Sequence, residues 1–233
     1  MSQTEVDQQN VAVEVEPQTI AGVYKSISER LGQYRVSLIN ARNDLHIMNA
    51  LGRFNYSPER LDQGLNLVEN ATQADAANKK EYGEQYAASE RLDKEFAEAS
   101  GPYIESLSVA RIALKKDSNA AKALVLNGAR ERALAKWLHN AELFYRNLLS
   151  TGEFLEKMNN FGRTREALEA EYREIRDVVE AMAIHKKEMG EALESTTVRN
   201  KIMAELDDWM EDFYNIAKLA LPGQPESLKK LGL

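Results

Sequence analysis

The sequence predicts an all-α fold, an elongated antiparallel helical bundle with coiled-coil-like packing, built from two tandem copies of a long helical hairpin. Three observations carry this. Shifted by 107 positions, residues 54–126 lie on 161–233 without a gap, and 19 of the 73 aligned pairs are identical. A repeat of that length reads as one helical unit duplicated and fused. Apolar residues recur at heptad spacing through both copies, the pattern of long packed helices. The composition agrees: 43% hydrophobic and 29% charged, with only 12 Gly and 5 Pro in 233 residues. The expected organisation is an N-terminal tail over 1–18, a first repeat over 19–126, and a second over 127–233 that ends in a lid segment.

The tail is rich in Gln and Glu, and Pro17 and Thr19 mark the approach to the first helix. Val11, Val13 and Val15 alternate with Ala12, Glu14 and Glu16, a strand-like period in a chain that offers no sheet. Two readings follow: a segment without fixed structure, or a strand exchanged with another copy or a partner. From Ile20 to Phe54 one helix is expected. Its rows are Ile20, Ile27, Tyr34, Ala41 and Met48, and beside them Tyr24, Leu31, Leu38 and Leu45. Asn55 can stop that helix in the left-handed region, and Ser57 caps the next with Pro58 at its first position. Phe161, Gly162 and Thr164 repeat the device in the second copy.

A long helix follows in each copy. Leu168, Ile175, Met182, Met189, Thr196, Met203, Met210 and Ala217 sit seven apart. That unbroken phase implies a helix of about 80 Å at ~1.5 Å per residue. The first copy follows with Leu61, Val68, Tyr82, Phe96 and Tyr103, but Ser100-Gly101-Pro102 predicts a kink or break. The polar middle of each segment leaves a second hairpin, near Ser89 and Thr196, as the alternative. After the linker Lys116–Asn119 the next helix is expected from about Ala120, with Leu124 and Leu126 starting the third main helix. Leu134, Trp137, Leu138, Ala141, Phe144, Tyr145, Leu148, Leu155 and Met158 continue its core row. Pro222–Leu233 reads as a remnant of the next repeat, folded back over apolar surface.

Chemistry is sparse. No cysteine is present, which excludes disulfides, thiolate metal sites and cysteine nucleophiles. The formal charge of −7 argues against a nucleic-acid backbone or an anionic membrane as partner. No apolar run approaches the ~20 residues of a membrane span, and Met1–Gln18 lacks the pattern of a signal peptide. Di-metal bundles use Glu-x-x-His, and no histidine here has that spacing. The reverse occurs in His139 with Glu142 and His185 with Glu188. No phosphate-binding glycine loop occurs, and Glu205, Asp207, Asp208, Glu211 and Asp212 read as a solvated helix face. Lys79-Lys80-Glu81-Tyr82-Gly83-Glu84 and Lys186-Lys187-Glu188-Met189-Gly190-Glu191 are the one motif-like element. A glycine kept in both copies predicts a close helix crossing or kink. The functional reading is a pair of Lys clusters for an acidic partner or anion.

No catalytic, cofactor-binding or metal-ligating residue is therefore assigned. The expected function is non-enzymatic and cytoplasmic: a self-associating helical rod or scaffold that binds itself or another protein. The alternatives are a membrane-active helical protein that repacks through its methionine row, and a ferritin-like metal-binding bundle.

Overall fold

The computed structural model describes residues 25–128 and 133–233. The tail with its candidate strand, and the first turn of the predicted first helix, lie outside these residues. Those described are helical, with no strand among them. In chain order the helices are α1 (Ile27–Asn43), α2 (Leu45–Gly52), α3 (Pro58–Ala113), α4 (Ser118–Ala123), α5 (Leu134–Ser150), α6 (Gly152–Asn159), α7 (Arg165–Ala220) and α8 (Pro225–Lys230).

Local chemistry sets most boundaries. Asn55 has φ 62° and Gly162 φ 78°, so both stops use the left-handed region. Ser57 caps α3 through the Arg60 N–H, and Thr164 caps α7 through the Ala167 N–H. Four expectations need correction. The helix predicted over Ile20–Phe54 is divided at Asp44, whose carboxylate accepts from the His46 and Ile47 N–H groups and starts α2. Thr151 divides α5 from α6 at the corresponding place without a side-chain cap. Pro102 does not end α3, which runs through it to Ala113. Buried Ala99, Tyr103, Ser106 and Ala110 hold that stretch against its neighbours, and tertiary packing outweighs one missing hydrogen bond. The third main helix starts at Leu134; after α4 the chain turns through Val125 (φ 53°) and Gly128 (φ 111°).

Neither long helix breaks near Ser89 or Thr196, so the second-hairpin alternative fails. Each spans 56 residues, about 84 Å at ~1.5 Å per residue. They pack antiparallel: Gly64 meets the Trp209 ring, Asn78 bonds Thr196, and Ser106 bonds Glu171. A Cβ at Gly64 would lie 2.5 Å from the indole, so only glycine admits Trp209 there.

The pair carries two separate cores. One gathers Leu31 to Ala71 with Met203 to Leu231; the other gathers Leu92 to Leu126 with Trp137 to Ala181. Each core thus draws on both halves of the chain. At the first end α1 is the third helix, with Tyr34 beside Tyr214 at 6.2 Å. At the second α5 takes that place, with Trp137 against Tyr103 at 5.3 Å and Phe96 at 4.9 Å. The C-terminal segment folds onto α1: Ser37 Oγ donates to the Leu231 carbonyl at 2.7 Å, and Asn40 Nδ2 to that of Lys230 at 2.7 Å. Leu231 is buried. At the other end Asn147 Nδ2 donates to the Ala123 carbonyl at 2.7 Å.

Candidate functional site

Between the cores lies a waist in which α3 and α7 run side by side. Ser28, near the start of α1, reaches Lys79 at 3.5 Å; Trp137, near the start of α5, reaches Phe96. Between these levels no third helix covers the pair among the described residues. The seam is polar. Asn78 is buried and donates to Thr196 Oγ1 at 3.0 Å, while Arg199 donates to its Oδ1. Asp75 is buried and pairs with Lys79 at 2.7 Å. Thr196 Oγ1 also lies 3.3 Å from the Tyr82 hydroxyl.

One side of the waist is an open groove of about 890 Å³ lined by α3 and α7 alone. Ala74, Ala77, Ala87 and Ala88 belong to its α3 wall, Ile184 and Val198 to its α7 wall. Three pairs of positions 107 apart line it: Lys80 and Lys187, Glu81 and Glu188, Glu84 and Glu191. The carboxylates of Glu81, Glu188 and Glu191 come within 4.8 Å of one another, the one converging group of three such ligands among the described residues, and it contains no histidine. His139 is exposed on α5 and His185 half-buried on α7, so the structure does not assemble them with Glu142 and Glu188 into a metal site.

The other side carries four exposed apolar residues. Tyr82 and Tyr86 are two residues from groove positions 80 and 84, which is about 200° around a helix. The same relation holds for Met189 and Leu193 on α7. They remain 51%, 67%, 50% and 69% exposed. Tyr82 and Met189 belong to the expected core row; among the described residues neither α1 nor α5 extends over them.

The Lys-Lys-Glu-x-Gly-Glu motifs lie at the waist in continuous helix, and Lys80 and Lys187 are engaged by acids of their own helices. Lys80 pairs with Glu84 at 2.9 Å, and Lys187 with Glu191 at 2.7 Å and Glu188 at 3.0 Å. The hydrogen bonds these ammonium groups donate to the carboxylates hold both above their ordinary pKa, so the two cations are already engaged. The expected close crossing at the glycines is absent too: a Cβ at Gly83 or Gly190 would meet nothing within 4 Å. Replacing both by Ala should therefore stabilise the fold by about 0.5–1 kcal/mol each, from helix propensity alone. An unchanged or lower melting temperature would contradict this placement.

A second polar cluster, unforeseen from the sequence, is buried at the α5 end. The Glu171 carboxylate accepts from Ser106 Oγ at 2.5 Å, Tyr145 Oη at 2.9 Å and Arg163 Nη1 at 3.0 Å. Arg163 also pairs with Glu105. Burial, with the Glu171 carboxylate next in weight, holds the Tyr145 phenol far above its ordinary range. At the opposite end the positions 107 away hold Tyr56, Gly64 and Phe213 in place of Arg163, Glu171 and Ser106, an aromatic cluster instead of an ionic one. Beside Glu171, one carboxylate oxygen of Glu174 is buried without a partner among the described residues. Burial first, then the charges of Glu171, Glu98 and Asp177, raises its pKa. A raised folded-state pKa means that the fold binds the extra proton. Stability is therefore lost as pH rises from the ordinary carboxylate range through the raised value. Glu174→Gln should raise the melting temperature at neutral pH, and the gain should vanish below about pH 4. A gain that persists in acid would contradict the burial argument.

No known protein family, curated protein or solved structure matches this chain. No helix among the described residues is long and apolar enough to cross a membrane. The functional reading rests on the geometry of the waist.

Proposed function

We propose that this chain is a non-enzymatic, cytoplasmic helical rod that works by protein–protein contact and self-associates through the apolar side of its waist. The observation that carries the reading is the exposed set Tyr82, Tyr86, Met189 and Leu193 between two well-packed ends. Exposed apolar residues grouped on one face mark interaction surfaces. Large side chains bury about 150–250 Å² each, so this set offers roughly 450 Å² per copy. A pair of copies would then remove about 900 Å², and flanking residues would bring it near the lower range of specific interfaces.

The internal repeat supports a second copy as the occupant. The helices of the two halves have equal lengths: 17 residues in α1 and α5, 8 in α2 and α6, 56 in α3 and α7, 6 in α4 and α8. The Asn40–Lys230 and Asn147–Ala123 hydrogen bonds occupy positions 107 apart on both partners. These agreements favour a duplicated hairpin whose halves are related by a pseudo-twofold through the waist. Tyr82 and Met189, like Tyr86 and Leu193, are then equivalent positions, and a patch with its own twofold suits an isologous pairing.

Light scattering across a concentration series tests this. Wild type should form a dimer or larger species, while Tyr86→Glu/Leu193→Glu should be a monomer with unchanged helix content. Equal masses for the two proteins would refute the proposal.

A further inference from the structure

On the groove side of the waist, we infer a docking seat for a helix of a different protein, an amphipathic helix with Lys or Arg flanking its apolar stripe. This rests on the reading of the chain as an interaction rod and names the partner of its second face.

Shape is the first argument. At the waist the groove between α3 and α7 is open and lined by those two helices alone. Small residues along α3 let another helix approach closely, its ridge lying in the groove. From Ala74 to Arg91 the seat is ~26 Å long at ~1.5 Å per residue, about five helical turns.

Charge is the second. The lining holds five glutamates against three cations. Lys80 and Lys187 are taken by Glu84, Glu188 and Glu191, and Arg91 leans to Glu180, outside the groove, at 3.7 Å. Among the described residues Glu81 and Glu194 take part in no ion pair, and Glu81 is crowded by two further carboxylates. Carboxylates held so close repel, and a cation brought among them relieves that repulsion.

The fold already contains the matching arrangement. Helix α1 docks on the same two helices by setting arginines against their acids: Arg30 on Asp207, Arg35 on Glu69 at 3.0 Å and Arg42 on Asp62 at 2.6 Å. A second copy of this chain is a poor occupant. Two grooves face to face would stack ten glutamates, and each chain carries a net charge of −7.

The test is fluorescence anisotropy with a fluorescein-labelled amphipathic peptide of leucine and lysine about 18 residues long, the length the seat accommodates. Wild type should bind it, and Glu81→Gln/Glu188→Gln/Glu194→Gln should weaken binding at least about tenfold. Removing three acids elsewhere, by Glu205→Gln/Asp208→Asn/Glu211→Gln, should change it less than about twofold. Ala87→Trp, which fills the groove and leaves the charges in place, should also abolish binding. Equal loss in the two acid triples, or equal binding of a peptide with glutamate in place of lysine, would overturn the inference. Light scattering separates it from the reading beneath it. Lost peptide selectivity with self-association intact removes the groove alone, and lost self-association with peptide binding intact removes only the apolar patch.

Discussion

Replacing Arg163 by Met should cost about 3–5 kcal/mol, the range for leaving one member of a buried ion pair without its partner. The Arg163 and Glu171 side chains are only 15% and 10% exposed, and Glu171 would keep two neutral donors, Ser106 and Tyr145, against a full charge. Urea unfolding should show the loss as a lower midpoint. Arg163→Met/Glu171→Leu should recover only part of it: exchanging a buried pair for apolar groups is often close to neutral, but the Ser106 and Tyr145 hydroxyls lose their acceptor. A single variant within about 1 kcal/mol of wild type would mean that solvent reaches Glu171.

Phe213→Ala should cost a comparable amount at the other end, about 3–5 kcal/mol, from lost burial plus the cavity left behind. Phe213 is fully buried, with ring centroids 5.7 Å from Tyr56 and 5.8 Å from Trp209. In a Trp137→Phe background, Trp209 emission should shift to the red. The two cores share no residue. The losses from Arg163→Met and Phe213→Ala should therefore add within about 0.5 kcal/mol when combined. A large coupling energy would show that the waist transmits packing from end to end.

These two residues also show which parts of the molecule the sequence could disclose. The stops at Asn55 and Gly162 and the caps at Ser57 and Thr164 depend on a few adjacent residues and were legible. Continuity of α7 was legible from its heptad phase. Asp44 was missed because the apolar row passes through it, although an Asp before an apolar run is itself a cap signal. The run of α3 through Pro102 depends on packing from α5 and α7, which no local rule contains. The waist lay between the two kinds of information. Its motif stood out by repetition, but the placement of Lys80 and Lys187 beside glutamates on the same helix face makes the groove acidic rather than basic. Tyr82 and Met189 fit the core row in sequence, but among the described residues neither α1 nor α5 extends over them, a matter of helix length and not of periodicity. The exchange of Tyr56, Gly64 and Phe213 for Arg163, Glu171 and Ser106 was invisible, since each residue alone suits a helix or its turn.

Hydrogen exchange measured by mass spectrometry, at concentrations below and above the association midpoint, tests the central claim most directly. Association through the apolar side should slow exchange in peptides covering residues 79–90 and 186–197 as concentration rises. Peptides from α1, α5 and the two cores should keep their rates. Concentration-dependent protection at the ends of the rod, or none anywhere while the mass increases, would contradict the waist as the surface through which this protein assembles.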